Sequence, residues 1–499
     1  MNTWWTAPKE NLLLSCEIVI IGSGPGGSFA ALTLAEAGFD VVLLERGFHY
    51  SGTTVPKNLR IAVQEIYSEA AFRTADGSPP TPVAGAQALG GGTTVNSAIC
   101  FKTPRRSLEH WNELSGGRFS DIDDYYARQD DIFKVMKVAE TPDALLSGND
   151  RIHKLGAQAL GWVEGNIWRN TPGCTGCHRC NAVCPTGGKY STDKGILPRA
   201  VAAGARIYTG CKVDGIFEDG VMGEILNSQK QQMGTFEIKA KKIILSAGSV
   251  NTPELLLQSG FDRQNDQIGR GLHLHPVIST WGLMPAPIQK RGATQGHYCD
   301  QFAEDWVLLE SNPIIAGAFF QSFPIFGKEA IEIMKKADQF ISTGALIKDS
   351  SEGQVHHPEK GTSKISYSLN ETDRRRLVKG LRAAAELYLE GAKAEAIVPS
   401  IFGGQWCRNM ADVNKHIPED LSVHRLIPYS SHCQASCRMG RACDQDGKLL
   451  GAKNIYVMDS SVLPSNVGRN PQISIMTVSR MLAESLVTQL GGTVKPLIV

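Results

Sequence analysis

The chain has 499 residues, 42% hydrophobic and 20% charged, enough to bury a sizeable core and to fill two or three domains. Its 51 Lys and Arg balance 50 Asp and Glu, leaving a formal +1. With no basic block of five or more, that balance gives no field for nucleic acid.

The first eleven residues, MNTWWTAPKEN, lack the Lys/Arg-led start and apolar run of a secretory leader. The apolar run that follows is too short to span a bilayer and leads straight into a glycine turn. We therefore expect a cytoplasmic, soluble protein with at most peripheral membrane contact. In that compartment twelve cysteines stay mostly reduced, so clustered ones favour metal or redox chemistry over disulfides.

Residues 16–47 read strand, tight turn, helix, strand. Gly22, Gly24 and Gly27 form G-x-G-x-x-G where the helix begins. The first glycine makes the turn, the second lets backbone approach a pyrophosphate, and the third lets helix and strand pack closely. Glu45 ends the second strand, placed to accept hydrogen bonds from a ribose hydroxyl. This pattern predicts a dinucleotide site and an α/β, Rossmann-type domain without separating FAD from NAD. Next, ALGGGTTVNSAICF (88–101) holds a backbone-exposing loop, Gly90–Gly92 with Thr93 and Thr94, able to lie along a diphosphate or a ring edge.

CTGCHRCNAVCP (174–185) places Cys174, Cys177, Cys180 and Cys184 in C-x2-C-x2-C-x3-C-P, the bacterial ferredoxin spacing. A single tight run suits an iron–sulfur cluster better than zinc, which usually draws on two separated pairs. Cys184 can complete a [4Fe–4S] cluster; otherwise three cysteines hold a [3Fe–4S], or a distant thiol such as Cys100 or Cys211 joins. Further on, KKIILSAG (241–248) reads as a buried strand ending in small residues. His273 and His275 of LHLHP (272–276) read as structural. Residues 141–170 and 286–302 read as loops. ETDRRRLVKGLRAAAELYLEGAKA (371–394) is the clearest amphipathic helix, its Arg run a solvated face.

Taken with SAGSVNTPELLLQSG (246–260), SSHCQASCRMG (430–440) and residues 454–486, the 88–101 segment resembles the glucose–methanol–choline (GMC) oxidoreductases. The match runs in order and over nearly the whole chain. The resemblance implies an FAD-dependent alcohol-oxidising enzyme. Its FAD domain would comprise 1–100, 190–275 and 425–499, interleaved with a substrate domain of antiparallel sheet plus helices from 101–189 and 276–424. It implies cofactor contacts at Gly91, Gly92, Thr93, Asn96, Val213, Ala247, Asp459 and Pro471. Val95 stands where some relatives carry a flavin-linked histidine, so FAD is expected to bind non-covalently.

The same resemblance makes His432 the base for the hydroxyl proton and Asn470 the group that hydrogen-bonds the substrate oxygen. A histidine suits the first task because its ordinary pKa lies near working pH. Two departures stand out: SGFD (259–262) replaces the family's SG-aliphatic-G, and Ala435 replaces a glycine after the histidine. Residues 344–355 and 361–394 are more loosely similar to the long-chain alcohol subgroup, which tilts the substrate toward a hydrophobic alcohol. GGKYST (187–192) looks like the tail of that subgroup's own cysteine stretch, while another branch of the family carries an iron–sulfur cluster inserted in this region.

An oxidase returns two electrons to oxygen and needs no relay. A one-electron cluster therefore favours a dehydrogenase passing electrons to an external acceptor, protein or quinone. The alternatives are an oxygen-using oxidase with structural cysteines, or a lyase or decarboxylase on the same scaffold.

Overall fold

The computed structural model describes residues 4–71, 73–312, 323–359 and 362–497. Among the described residues the chain folds as a mixed α/β protein with two main sheets, a five-stranded third one and a two-stranded ribbon of Ala139–Glu140 with Trp168–Arg169. The first sheet is built from β1 (Leu12–Ile21), β2 (Val41–Glu45), β3 (Arg206–Thr209), β4 (Cys211–Phe217), β5 (Gly220–Leu226), β6 (Gln232–Leu245) and β7 (Ile455–Val457). Its order is β3-β2-β1-β6-β5-β4, with β7 also paired to β6. The strands from β3 to β6 and β7 are parallel, with Ile18–Ile21 matching Lys242–Leu245, whereas β5 and β4 add an antiparallel flap. Parallel strands are covered on both faces, which explains why Ile18 to Ile21 and Val41 to Leu44 are unbroken apolar runs, nearly all solvent-free.

Between β1 and β2 lies α1 (Pro25–Glu36). Proline occupies its first turn, where the missing N–H costs nothing, and Gly26 to Ala35 are all buried. Helix α2 (Leu59–Ile66) is capped by Asn58 and rests Ala62 and Ile66 on Ala182 and Val183 of the cysteine segment. Helices α3 (Arg105–Leu114) and α4 (Ile122–Val135) put Leu108, Trp111, Tyr125 and Ile132 into the same core as β1 and α1. Helix α5 (Glu371–Glu386) packs on the second sheet and runs into a wider turn, Leu387–Gly391. Helix α6 (Gln472–Gln489) returns to the first core, buried along nearly its whole length.

The second sheet is antiparallel, six strands drawn from Glu164–Asn166, Val277–Leu283, His297–Cys299, Val307–Ser311, Phe340–Ile347 and Ala396–Pro399. The third sheet joins Thr74–Asp76 and Thr81–Pro82 to three later strands, Arg270–Leu272, Gly353–Glu359 and Thr362–Ser366. The two-unit division stands as a proposal; α3 and α4, expected in the substrate domain with 101–189, share the core of the first sheet.

Two local expectations need correcting. The segments 141–170 and 286–302 are not plain loops. Ser147 and Asp150 form a reciprocal cap that starts a helix, Gly148–Ala159, and both segments also contribute strands to the second sheet. Nor is the Arg374–Arg376 run simply solvated: only Arg375 is well exposed, while Arg374 is buried on the Glu419 and Leu421 carbonyls.

Candidate functional site

The glycine turn has the geometry that its spacing predicts. Gly22 has φ +99°, and a Cβ there would lie 2.3 Å from the Ser246 carbonyl oxygen. A Cβ on Gly27 would lie 2.0 Å from the Gly22 oxygen, so only glycine lets α1 approach this closely. Around Gly24 there is open space. No side chain caps the first turn of α1, which leaves its amides for an anion. The Glu45 carboxylate holds the turn itself: Ser23 donates through its amide (3.1 Å) and hydroxyl (2.6 Å), and the Gly47 amide donates at 2.8 Å.

Gly91 packs directly over this turn, its Cβ position 2.6 Å from Gly24 Cα. It opens a short helical turn, Gly91–Thr94, pinned by the Thr93 hydroxyl donating to the Gly90 carbonyl at 2.6 Å. Gly92 has free space at its Cβ position. Asn96 donates to Gln472 at 3.0 Å, joining this loop to the N-terminus of α6 just after Pro471. On the opposite side Ala247 follows β6, and the buried Asp459 accepts from the Gly248 amide (2.8 Å) and the Thr252 hydroxyl (2.6 Å). Burial pushes the Asp459 carboxyl up. Val213 is buried on β4.

His432 does not stand alone. Its Nδ1 lies 3.0 Å from Nδ1 of His275, and the two rings stack 29° from parallel. The nitrogen left free for chemistry is Nε2. Desolvation lowers His432 to about 4 and drives the fully buried His275 down as well, so both rings are neutral at ordinary pH. His275, with φ +51°, is held by its amide donating to Asp349, which also accepts from the Leu274 amide and the Tyr367 hydroxyl. Asn466 donates to the same carboxylate. Asp349 therefore ties the His275 turn to the 466–470 loop, and its partners hold it down near 2. Of the two histidines read as structural, His273 stays so, 3.6 Å from Asp349; His275 belongs with His432.

Asn470 is buried and donates to Oε2 of Glu310 across a long 3.5 Å. Its Oδ1 and the Glu310 Oε1 have no partner among the described residues. Glu310, on Val307–Ser311, is fully buried, and desolvation raises its carboxyl to about 7. Unsatisfied buried oxygens on two neighbouring side chains call for a donor, and a hydroxyl can serve. Ala435 has φ +70°, in the left-handed region that favours glycine.

Cys174, Cys177, Cys180 and Cys184 all line one small cavity, with His178, Lys189 and Gly292. None of the twelve cysteines is disulfide-bonded. No three of the four thiols lie within 4.8 Å of one another, whereas tetrahedral zinc needs sulfurs about 3.8 Å apart. Cys100 and Cys211 are not in the lining; Cys100 sits beside Gln472. Two buried cations face the cavity: Arg169 donates to the Cys180 sulfur at 3.2 Å, and Lys189 is 2% exposed. The Lys189 ammonium donates to the Thr94, Asn96 and Cys180 carbonyls at 2.6–3.0 Å, linking the cysteine loop to the loop over the glycine turn. Elsewhere, His153, His297 and Cys299 form a buried group, closed by a hydrogen-bond chain from His153 through His297 to Glu164.

Fold and site define an FAD-dependent oxidoreductase acting on CH–OH groups. Residues 17–56 match an FAD-binding domain model, and residues 63–277 and 349–479 match the two GMC oxidoreductase models. An uncharacterised GMC-type oxidoreductase of Mycobacterium tuberculosis is 30% identical over 492 residues, spanning 95% of this chain and 76% of that protein. A long-chain-alcohol oxidase of Arabidopsis thaliana is 29% identical over 534 residues, covering 97% and 68%. Pyridoxine 4-oxidase from Mesorbium loti superposes with a TM-score of 0.67 at 18% identity, covering 94% and 99% of the two chains. The chain belongs to the GMC oxidoreductase family. Among the described residues no helix is long and apolar enough to cross a membrane.

Proposed function

We propose that the chain is an FAD-dependent alcohol dehydrogenase whose cysteine loop holds an iron–sulfur cluster and serves an external acceptor. The observation that carries this reading is the single cavity lined by all four cysteines and faced by the buried cations Lys189 and Arg169. A buried ammonium with no ion-pair partner among the described residues calls for negative charge nearby, and a thiolate-ligated cluster supplies it. When bound, FAD would supply the hydride acceptor for the alcohol carbon, and a cluster held by Cys174, Cys177, Cys180 and Cys184 would supply a one-electron carrier.

The chain's own residues handle the proton and the geometry. His432 Nε2 takes the hydroxyl proton. His275 fixes the ring through the Nδ1 contact, and its own neutrality keeps it from repelling the imidazolium that forms. Asn470 and Glu310 hold the substrate oxygen from the other side, Glu310 as a neutral acid below about pH 7. FAD is bound non-covalently by Gly22, Gly24, Gly27, Glu45, Gly91, Gly92, Thr93, Asn96, Val213, Ala247, Asp459 and Pro471. The relatives named as long-chain-alcohol oxidases support a hydrophobic alcohol as substrate.

The same names favour the second reading, an oxygen-using oxidase with structural cysteines. Retention of both His432 and Asn470 weighs against a lyase. The deciding experiment is anaerobic purification, with iron and sulfide counts and an absorbance spectrum, then a panel of alcohols scored by flavin bleaching. We expect about four irons per chain, bleaching without oxygen, and turnover with a one-electron dye. A spectrum of FAD alone, with peroxide released in air, overturns the dehydrogenase reading.

A further inference from the structure

We infer that the surface over the cysteine loop is a docking site for an acidic one-electron acceptor protein; the inference rests on the cluster reading above. The apex of this surface is small and uncharged. Pro172, Gly173, Thr175, Thr186 and Gly187 are exposed there, and Cys174 and Cys177 beneath them are only half-buried. Five cations ring the apex. Arg179 lies within the loop and donates to the Pro56 carbonyl, which brings Lys57 and Arg60 at the start of α2 alongside. Lys194 Nζ lies beside Gly187. Arg291 precedes Gly292, whose amide donates to the Gly176 carbonyl at 2.8 Å.

Lys57, Arg60 and Arg291 are exposed, and among the described residues none of the five is in an ion pair with a carboxylate. Of the acids in this region, Glu65 on α2 is exposed, and two others are engaged elsewhere. Asp193 is buried against His49, and Asp143 pairs with Lys154 at 2.8 Å. Since the whole chain carries only +1, this concentration of positive charge is local to a face where the Cys174 and Cys177 sulfurs are only half-buried. Such a ring steers and orients an acidic partner while the uncharged apex allows close approach. Each alcohol oxidised yields two electrons and two protons; two acceptor molecules take one electron each, and the protons pass to solvent.

The test uses the purified holoenzyme, with succinylated cytochrome c as the acidic probe and native cytochrome c as its basic counterpart. Binding is measured by calorimetry at 20 mM and 300 mM salt, and a carbodiimide cross-link is mapped by mass spectrometry. We expect the succinylated form to bind on the order of tenfold more tightly at low salt, and to cross-link through Lys57 or Lys194. The triple variant K57E/R60E/R291E should lose that binding while keeping its turnover with a neutral dye. Equal binding of both cytochromes, or binding unchanged in the triple variant, overturns the docking site. So does salt-dependent capture of anionic phospholipid vesicles without binding of the probe. Iron counted in the same preparation separates the two readings, because its absence overturns the cluster whatever the probe does.

Discussion

The two sides of the candidate site are opposite solutions to burying a titratable group. His432 loses its proton readily because burial disfavours the cation; Glu310 keeps its proton because burial disfavours the anion. Replacing His432 with Asn removes the base but leaves a polar side chain of similar reach. The rate of flavin reduction by an alcohol should fall about 10²–10⁴-fold in stopped flow, with FAD content unchanged. Unchanged bleaching would remove His432 from the chemistry. Glu310 gives a stability prediction whose sign follows from its raised pKa. Between about pH 4.5 and 7 the folded chain holds this proton and the unfolded chain does not, so stability falls as pH rises through that window. The loss amounts to about 3 kcal/mol by pH 8. Glu310→Gln should flatten the decline and raise Tm at pH 8 relative to the parent. Parallel Tm–pH curves would rule out a neutral buried acid.

At the level of elements, one buried side chain joins the two loops that matter most. Lys189 donates to carbonyls of both the 93–96 loop and the cysteine turn. Lys189→Met leaves three buried acceptors unpaired, at about 1–3 kcal/mol each before relaxation. We expect a lower Tm and at least tenfold weaker FAD retention on dialysis. A drop in Tm with FAD affinity intact would mean the link serves folding alone. How far such features were legible in the sequence depended on their locality. The glycine turn and the four cysteines are short-range patterns, so spacing alone exposed them. His275 was misread as merely structural because its partner lies 157 residues away, and only the backbone pairing of His273 with Gln434 and of Val277 with Tyr429 brings the rings together. Glu310 gave no signal at all: in WVLLES it is one acid on a short strand, and its meaning comes from Asn470, 160 residues later. The helix at Gly148–Ala159 was missed although Ser147 and Asp150 form its capping box, a local cue that was there to read.

Across the whole molecule the proposed alcohol site and the proposed electron exit rest on different segments, and substitution should separate them. His432, His275, Asn470 and Glu310 depend on the second sheet and the 466–470 loop, whereas the cysteines hang from the segment between α4 and β3. The Lys189 ammonium joins the cysteine turn to the 93–96 loop through main-chain carbonyls of Thr94, Asn96 and Cys180, while the Cys184 sulfur accepts from the Lys189 amide at 3.4 Å, a role that a Ser hydroxyl can fill. Exchanging Cys177 and Cys184 for Ser therefore spares that link while removing two of the proposed cluster ligands. In this double variant an alcohol should still bleach the flavin anaerobically within a few-fold of the parent rate. Steady-state turnover with a one-electron acceptor should drop tenfold or more, and iron should be lost. If bleaching and turnover fell together with FAD still bound, the cysteines would be part of the alcohol site. If neither fell, electrons would leave by another route and the oxidase reading would gain, since oxygen can meet reduced flavin directly.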